Sequence, residues 1–219
     1  MEIIAKNVLD GWKKSLEFIY KNGNDFIDKD NRKCREVLNL ILKIQDFKDI
    51  KKPIEILNSF KKWIYPPYEE LENFILGKKE IPGYYYNYGS RAFNFESLNQ
   101  VDNFVIPLLK KDKTTRRATI IFYNPKKDSF LFKKEVPGLI MMNFNIRKGK
   151  INATTLIRSN DLFFGWPANI YQTFTLLRYI SKKLNIPIGT ITTISISAHI
   201  FEDQFEDIEK ILLNNKNYL

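Results

Sequence analysis

The sequence is nearly devoid of the residues that build disulfides and zinc sites, because its 219 residues include one cysteine and one histidine. A single cysteine, Cys34, excludes an intrachain disulfide framework and fits a reducing compartment. One cysteine and one histidine are too few for an ordinary zinc site. No apolar run reaches the ~18 residues of a membrane span, and the first four residues do not resemble a secretory signal. We therefore expect a cytoplasmic protein without a metal site or a membrane anchor.

The charge is unbalanced in the basic direction. Thirty-five Lys and Arg residues oppose 25 Asp and Glu residues, which gives a formal net charge of +10. This excess favours an anionic partner, such as a phosphate, a nucleic acid or an acidic membrane surface. A hydrophobic content of 44% excludes an intrinsically disordered chain. The length favours one domain that spans residues 1–219.

The first half of the chain is predicted to be mainly helical. Helical spacing of apolar side chains predicts three helices, at residues 7–21, 53–76 and 98–109, the second of them broken by Pro66 and Pro67. Three other segments connect them: a charged loop at 24–33, a strand buried on both faces at 37–42, and an aromatic loop at 84–89.

The second half is predicted to be rich in strands. Strands are expected at 118–123, 139–146, 151–157 and 191–200, and residues 147–150 read as a hairpin turn. Two helices are expected at 168–184 and 205–213. The mixture indicates an α+β fold with one large mixed sheet packed against helices.

Several arginines stand at the ends of predicted strands. Arg116 and Arg117 precede one strand, Arg158 and Ser159 end another, and Arg32 and Arg35 lie in the early loop. The planar fork of a guanidinium group matches two oxygens of a phosphate. Because these arginines do not form a stripe with interleaved aromatic residues, the pattern argues against nucleic-acid binding and for a compact anion site.

The segment from Arg158 to Asn169, RSNDLFFGWPAN, joins an Arg-Ser pair, a carboxylate, a Gly-aromatic-Pro turn and an amide that opens a long helix. This segment resembles the thymidylate synthase family, most closely its archaeal branch. The resemblance continues, in family order, at four further segments: 35–39, 88–91, 115–118 and 197–201. It covers nearly the whole chain and implies a homodimer formed through the sheet.

The resemblance implies a site for a pyrimidine nucleoside monophosphate such as dUMP. Arg158 and Ser159 are expected to hold the 5′-phosphate, and Arg116 and Arg117 to reach the same phosphate from the other subunit. An arginine of the early loop should close over it. Arg35 is our first choice, and Arg32 is the alternative.

The resemblance also assigns the groups around the base and sugar. Asn169 should read the pyrimidine edge, His199 should contact the ribose, and Asp161 should lie near the base and a pterin ring. Tyr88 should support the network beside C6 of the base. A reduced folate or pterin that carries one carbon is the candidate cofactor.

Residue chemistry alone leaves alternatives open for three of these side chains. Asn169 could instead cap its helix, since asparagine is a favoured cap. His199 could be a structural histidine that satisfies its own hydrogen bonds, and Tyr88 could serve packing alone.

The family pattern breaks where its chemistry needs a thiolate to add to C6. The matching position, after Val136 and Pro137, holds Gly138, which cannot act as a nucleophile. Asn143 stands where the family usually has Gln, and Phe201 where it has the ribose-binding Tyr. Cys34 lies in the early loop, and although its basic neighbours could lower its pKa, that loop is expected near the phosphate rather than C6. Residues 217–219 do not clearly match the family's closing C-terminal tail.

Three functions follow from this pattern. The chain could act on a bound nucleotide by altered chemistry, with Asp161 as acid or base. It could be a non-catalytic nucleotide-binding or regulatory protein. It could also be a genuine methyl- or hydroxymethyltransferase whose nucleophile lies elsewhere.

Overall fold

Seven strands form one mixed sheet in the computed structural model, which describes residues 1–77, 86–132 and 135–213. The strands are β1 (Glu2–Ala5), β2 (Asn24–Ile27), β3 (Lys33–Ile44), β4 (Thr119–Ile121), β5 (Leu139–Arg147), β6 (Lys150–Asp161) and β7 (Ile188–Phe201). They are ordered β1-β3-β7-β6-β5-β4, and β2 forms a hairpin with β3. The pairs β1–β3 and β6–β7 are parallel, and the other pairs are antiparallel.

Eight α-helices lie in the described residues. They are α1 (Val8–Asn22), α2 (Lys52–Ser59), α3 (Tyr68–Leu76), α4 (Tyr88–Phe93), α5 (Ile106–Lys111), α6 (Pro125–Asp128), α7 (Gly165–Leu184) and α8 (Phe205–Leu213). A single π-helical turn, Val101–Val105, leads into α5, and a short 3-10 turn, Glu202–Gln204, leads into α8. None of these helices is both long and apolar enough to pass through a lipid bilayer.

The two long helices pack on the same face of the sheet. In α1, Gly11 lies so close to Leu42 and Ile44 that a Cβ atom has no room, which lets the helix approach the strands closely. In α7, the indole Nε1 of Trp166 donates to Thr193 Oγ1 of β7 over 3.1 Å. This face of the sheet therefore forms the core.

The opposite face of the sheet stays partly exposed in the single chain. Leu156 of β6, Ile194 of β7 and Ile41 of β3 are paired side by side and are only half-buried. At both edges of this face, Ile4 and Ile121 are exposed. An apolar sheet face of this kind is unusual for a monomer and is typical of an interaction surface.

The predicted α+β fold is confirmed, and most predicted elements are present. The hairpin around residues 147–150 turns through Lys148 and Gly149, both with positive φ. The helices predicted at 7–21, 168–184 and 205–213 correspond to α1, α7 and α8.

Three local predictions are wrong. The charged loop at 24–33 is largely the hairpin of β2 and β3. The strand at 37–42 is not buried on both faces, since Leu38 is 60% exposed and only alternate residues reach the core. The aromatic loop at 84–89 ends instead in helix α4, which begins at Tyr88, and residues 84–85 lie outside the described residues.

Candidate functional site

The carboxyl ends of β6 and β7 bring several predicted site residues together. These strands are parallel, and their register pairs Ser159 with Ser197 and Asp161 with His199. Since parallel strands end at the same edge of a sheet, residues at their carboxyl ends meet there. The structure therefore joins two segments that are about forty residues apart in the sequence.

Arg158 holds the segment that precedes β5. Its Nε donates to the Pro137 carbonyl over 3.0 Å, and its Nη2 donates to the Val136 carbonyl over 2.8 Å. The backbone N–H of Arg158 also donates to the Gly138 carbonyl over 2.8 Å. No carboxylate of the described residues pairs with this exposed guanidinium, so its positive charge and its remaining donors stay available to an anion. Ser159, next to it, is also exposed.

Gly138 lies beside Tyr88. The phenol oxygen of Tyr88 accepts from the backbone N–H of Leu139 over 3.2 Å, and its side chain is buried. Burial raises the pKa of Tyr88, so the phenol stays protonated. A Cβ atom added at Gly138 would lie 3.2 Å from the Ser159 carbonyl oxygen and 4.0 Å from Tyr88 Oη. A small side chain at position 138 would thus stand next to the Tyr88 hydroxyl with only a slight local shift.

The Asp161 carboxylate is held by three donors. Oδ1 accepts from the backbone N–H groups of Phe163 and Phe164 at 2.9 and 3.0 Å. Oδ2 accepts from Gln204 Nε2 at 3.0 Å. Burial raises the pKa of the Asp161 carboxyl, and these hydrogen bonds oppose that shift. In the chain alone, Asp161 therefore shapes the turn between β6 and α7.

His199 is buried at the end of β7. Its Nδ1 lies 3.3 Å from Ser197 Oγ, and its ring makes an edge-on contact with Phe201. Burial lowers the pKa of His199, whereas the negative charge of Asp161 acts in the opposite direction. The imidazole is therefore held mainly neutral at physiological pH and can donate or accept a hydrogen bond.

Asn169 lies inside α7 rather than at its cap. The cap position belongs to Phe164, so the alternative reading of Asn169 as a helix cap is wrong. Asn169 Nδ2 donates to Asn160 Oδ1 over 3.2 Å, and Asn160 Nδ2 donates to Ser195 Oγ over 2.9 Å. The half-buried Asn169 amide therefore stands on a polar support while facing a cavity.

Two cavities of about 480 Å³ each meet at Phe164. The first, which we call the Asp161 cavity, is lined by Arg32, Lys33, Trp63, Asp161, Phe164, Phe201, Glu202, Asp203 and Gln204. The second, the Asn169 cavity, contains Tyr88, Asn169 and Gln172, together with the aromatic rings of Tyr65, Phe74 and Tyr86. Charged groups dominate the first cavity and aromatic rings the second.

The two arginines of the early loop are in different environments. Arg35 pairs with Asp25, with Nε 2.6 Å from Oδ1, and donates through Nη1 to the Tyr20 carbonyl over 2.7 Å. It does not line the Asp161 cavity. Arg32 does, and its guanidinium lies 4.2 Å from the centre of the Phe201 ring while paired with Asp28. Within one chain the structure thus brings Arg32, and not Arg35, to Asp161.

Arg116 and Arg117 are exposed and distant from Arg158 in the same chain. The backbone N–H of Phe144 donates to the carbonyl of Ala118, the residue after Arg117. Phe144 in turn pairs with Ala153 of β6, and Ala153 precedes Arg158 by five residues. At 3.2–3.4 Å per residue, that separation is roughly 16 Å along the strand. Neither guanidinium pairs with a carboxylate among the described residues. The backbone of these two arginines therefore lies well away from that of Arg158 in the same subunit.

Cys34 and Asn143 have local structural roles in the chain. Cys34 is buried in β3, lines neither of the two cavities, and its Sγ lies 3.4 Å from the Arg32 carbonyl oxygen. Burial raises the pKa of its thiol, so the expectation that basic neighbours lower it is wrong. Asn143 Nδ2 donates to Thr119 Oγ1 over 2.7 Å, which ties β5 to β4.

Sequence reasoning missed Asn160, Gln204, Glu70 and Gln172. Asn160 lies within the segment from Arg158 to Asn169, but nothing in the sequence marks it as more than the residue that separates Ser159 from Asp161. Among the residues that the structure describes, Glu70 is the one carboxylate lining the Asn169 cavity, yet in the sequence it reads as an ordinary exposed residue of a helix. Gln204 follows β7 in a short turn, and only the folded chain brings it to Asp161.

Comparisons with known proteins identify the family of the chain. The sequence profile of the thymidylate synthase family matches residues 32–218. The chain belongs to the thymidylate synthase family. Proteins named "Putative thymidylate synthase" from Methanococcoides burtonii and Methanocaldococcus jannaschii are 33% and 32% identical over 210 and 221 residues. These matches cover 96% and 97% of this chain and 94% and 96% of the relatives.

A more distant relative is the deoxyuridylate hydroxymethyltransferase of Bacillus phage SP01. It is 30% identical over 155 residues, which are 62% of this chain and 40% of the phage protein. The archaeal relatives thus match nearly end to end, whereas the phage enzyme shares a part of its length. Among the described residues, no group of three or more His, Cys, Asp or Glu side chains is placed to hold a metal ion.

Proposed function

We propose that this member of the thymidylate synthase family binds a pyrimidine nucleoside monophosphate similar to dUMP, without a thiol at C6 of the base. One combination of residues carries the proposal. Arg158 has no carboxylate partner among the described residues, Asn169 faces a cavity, and Gly138 occupies the position beside Tyr88. The first two residues supply phosphate and base contacts. The third leaves no nucleophile.

Charge at the carboxyl edge of the sheet supports the phosphate part of this proposal. Arg158 and Ser159 would bind the 5′-phosphate, and Arg32 would approach over Phe201, with Arg35 in the supporting hairpin. Charge-assisted hydrogen bonds from a guanidinium fork suit a dianion. His199 would bind the sugar, since its neutral ring can hydrogen-bond a ribose hydroxyl, and Phe201 has no hydroxyl for that role.

The Asn169 cavity supports the base and cofactor part. A side-chain amide offers one acceptor and two donors, which match the N3–H and O4 of uracil. The name of the phage relative, which refers to deoxyuridylate, agrees with this base. The aromatic lining of the same cavity fits a flat heterocycle, so we place a candidate reduced folate or pterin carrier there. Asp161 lines the neighbouring cavity, which meets this one at Phe164, and would lie near the base and the pterin ring.

The missing thiol points to altered chemistry on the bound nucleotide. Without addition at C6, C5 is a poor carbon nucleophile, and positioning alone does not replace a covalent step. Cys34 does not supply the thiol, because it lies outside both cavities. The second candidate function is a non-catalytic nucleotide-binding or regulatory protein. It is favoured by the engagement of both Asp161 oxygens in structural hydrogen bonds.

A homodimer belongs to the same proposal. The half-buried apolar face of the sheet suits a two-fold contact with a second copy of the chain. The position of Arg116 and Arg117, too far from their own Arg158, fits a contribution to the site of the partner. A cytoplasmic location is also part of the proposal.

Calorimetric titration tests the ligand. We expect dUMP to bind more tightly than dCMP, and far more tightly than deoxyuridine, which lacks the phosphate. Replacing Arg158 with Ala should weaken dUMP binding by about 2–3 kcal/mol, because a charge-assisted contact is lost, and should leave deoxyuridine unchanged. The matched control is Arg178→Ala, since Arg178 pairs with Glu72 and lines neither cavity. Equal binding of dUMP and deoxyuridine would refute the phosphate site.

A further inference from the structure

Behind the base-reading residue stands a buried polar pair, Asn160 and Ser195. Asn160 is 1% exposed and Ser195 is 2% exposed, and they lie on the adjacent strands β6 and β7. Asn160 Nδ2 donates to Ser195 Oγ over 2.9 Å. The other end of the Asn160 amide, Oδ1, accepts from Asn169 Nδ2 over 3.2 Å. One buried amide thus connects the core of the sheet to the side chain at the cavity.

The orientation of one amide fixes that of the other. Because Asn160 presents its carbonyl oxygen, Asn169 must present its NH2 group, and this leaves the Asn169 oxygen and one N–H for a ligand. The remaining pair matches a base with a ring N–H and a carbonyl oxygen, as in uracil. Rotating the Asn169 amide by half a turn would reverse the match and favour the ring nitrogen and amino group of cytosine.

Steric support comes from the start of α7. A Cβ atom at Gly165 would lie 4.0 Å from Asn160 Oδ1 and 3.5 Å from Asp161 Cβ, so the start of the helix lies close to this amide. Buried polar groups of this kind are costly to leave unpaired, so the hydrogen bonds to Ser195 and Asn169 favour one orientation of the Asn160 amide.

We propose that Asn160, supported by Ser195, is a positioning residue that sets the preference of the site for uracil over cytosine by orienting the Asn169 amide. The proposal rests on the proposed function, because it requires Asn169 to contact the base. Neither Asn160 nor Ser195 lines the two cavities, so they act through Asn169.

Two substitutions of Asn160 separate orientation from simple stability. In Asn160→Leu the support is removed and the Asn169 amide can rotate. The ratio of dUMP to dCMP affinity should then fall about fivefold or more, which is the change in affinity expected for the loss of one hydrogen bond. In Asn160→Asp the carboxylate can only accept, so Asn169 must still present its NH2 group and the ratio should be kept or raised. Ser195→Ala removes the acceptor of the Asn160 NH2 group, which frees the Asn160 amide to turn, and should lower the ratio in the same direction as Asn160→Leu.

The matched control is Thr193→Val. It removes a buried hydrogen bond of 3.1 Å from the same strand to the same helix, but to Trp166 instead of Asn169. We expect it to lower the melting temperature without changing the dUMP to dCMP ratio. The ratio is the readout because a purely structural role would weaken both ligands equally.

The outcomes distinguish this inference from the proposed function. If the wild-type protein binds neither nucleotide, the proposed function is wrong and the inference is wrong with it. If the wild type prefers dUMP but Asn160→Leu and Ser195→Ala keep its ratio, Asn160 does not orient Asn169. If Asn160→Leu fails to fold, the other two variants decide. An unchanged ratio of dUMP to dCMP affinity in Ser195→Ala contradicts the proposal, and so does a lowered ratio in Asn160→Asp.

Discussion

In the proposed function, residue 138 separates nucleotide binding from covalent chemistry. Around it, the Tyr88 hydroxyl, the Leu139 N–H and the Ser159 carbonyl form a close polar frame. Glycine leaves this frame intact but provides no atom that can attack a base. Under the proposed function, the site keeps its nucleotide contacts and lacks thiol addition because of this one position.

At the same scale, His199 should make stability depend on pH. Burial lowers its pKa from the ordinary value of 6.5, so below that pH the unfolded chain takes up a proton more readily than the folded one. The unfolding free energy should therefore fall as the pH drops below 6.5, toward the lowered folded pKa. Asp161 has the opposite shift, and its proton uptake offsets part of the loss at lower pH.

Urea denaturation at about pH 7 and about pH 5 measures this effect. The decrease in unfolding free energy between the two should be smaller in His199→Gln than in the wild type. The same decrease in both proteins would mean that His199 titrates in the folded chain as it does in the unfolded one.

The grouping of candidate site residues could be predicted where they lie in one continuous segment. Arg158, Asp161 and Asn169 share such a segment, and the fold brings each of them to the carboxyl edge of the sheet or to a cavity beside it. Gln204 and Glu70 were missed because their places depend on how distant elements pack. Arg35 and Arg32 are three residues apart in sequence, and only the hairpin geometry separates their environments.

At the scale of elements, helix α4 shows why some local predictions failed. Its sequence, which includes Gly89 and follows a tyrosine run, is typical of a loop. Gly89 is needed because α4 passes directly against the backbone of Gly77 at the end of α3, where a Cβ has no room. Tertiary packing thus overrides a local pattern, whereas α1 and α7 have long apolar periodicity and were predicted correctly.

Helix α4 is anchored by a buried ion pair, and this gives a stability prediction. Arg91 donates through Nη2 to Asp128 Oδ1 over 3.0 Å, and Asp128 Oδ2 accepts from the Asn124 N–H over 2.8 Å. Asp128→Ala leaves the buried guanidinium without its carboxylate and should lower the unfolding free energy by about 3–5 kcal/mol.

Denaturant titration is the measurement for Asp128→Ala, and Asp10→Ala is its control. Asp10 forms an exposed pair with Lys14 on α1, so its loss should cost less than about 1 kcal/mol. Similar losses in the two variants would show that the Arg91–Asp128 pair does not anchor α4.

At the scale of the whole molecule, the partly exposed apolar face and the distant Arg116 and Arg117 lead to one prediction. Two copies should pack through their sheets and exchange arginines between their sites. Sedimentation should then show a dimer at micromolar concentration, and Ile194→Lys, which puts a charge on that face, should give monomers. A stable wild-type monomer would contradict the dimer.

Mixed dimers test the exchange itself. When Arg158→Ala subunits are combined with Arg117→Ala subunits, one site of each mixed dimer loses both arginines and the other keeps both. Each mixed dimer should therefore bind about one dUMP at wild-type affinity, although both parent variants bind weakly. Mixed dimers without a tight site would place Arg117 outside the nucleotide site.

The chain should bind the nucleotide without attacking it through a thiol, and mass spectrometry of one sample tests both properties. The protein is incubated with 5-fluoro-dUMP and a methylene-folate and is then weighed under native and denaturing conditions. We expect the native spectrum to show bound nucleotide and the denatured spectrum to show the bare chain, with some surviving adduct only in Gly138→Cys. A wild-type adduct that survives denaturation, or a native spectrum without nucleotide, would contradict the account.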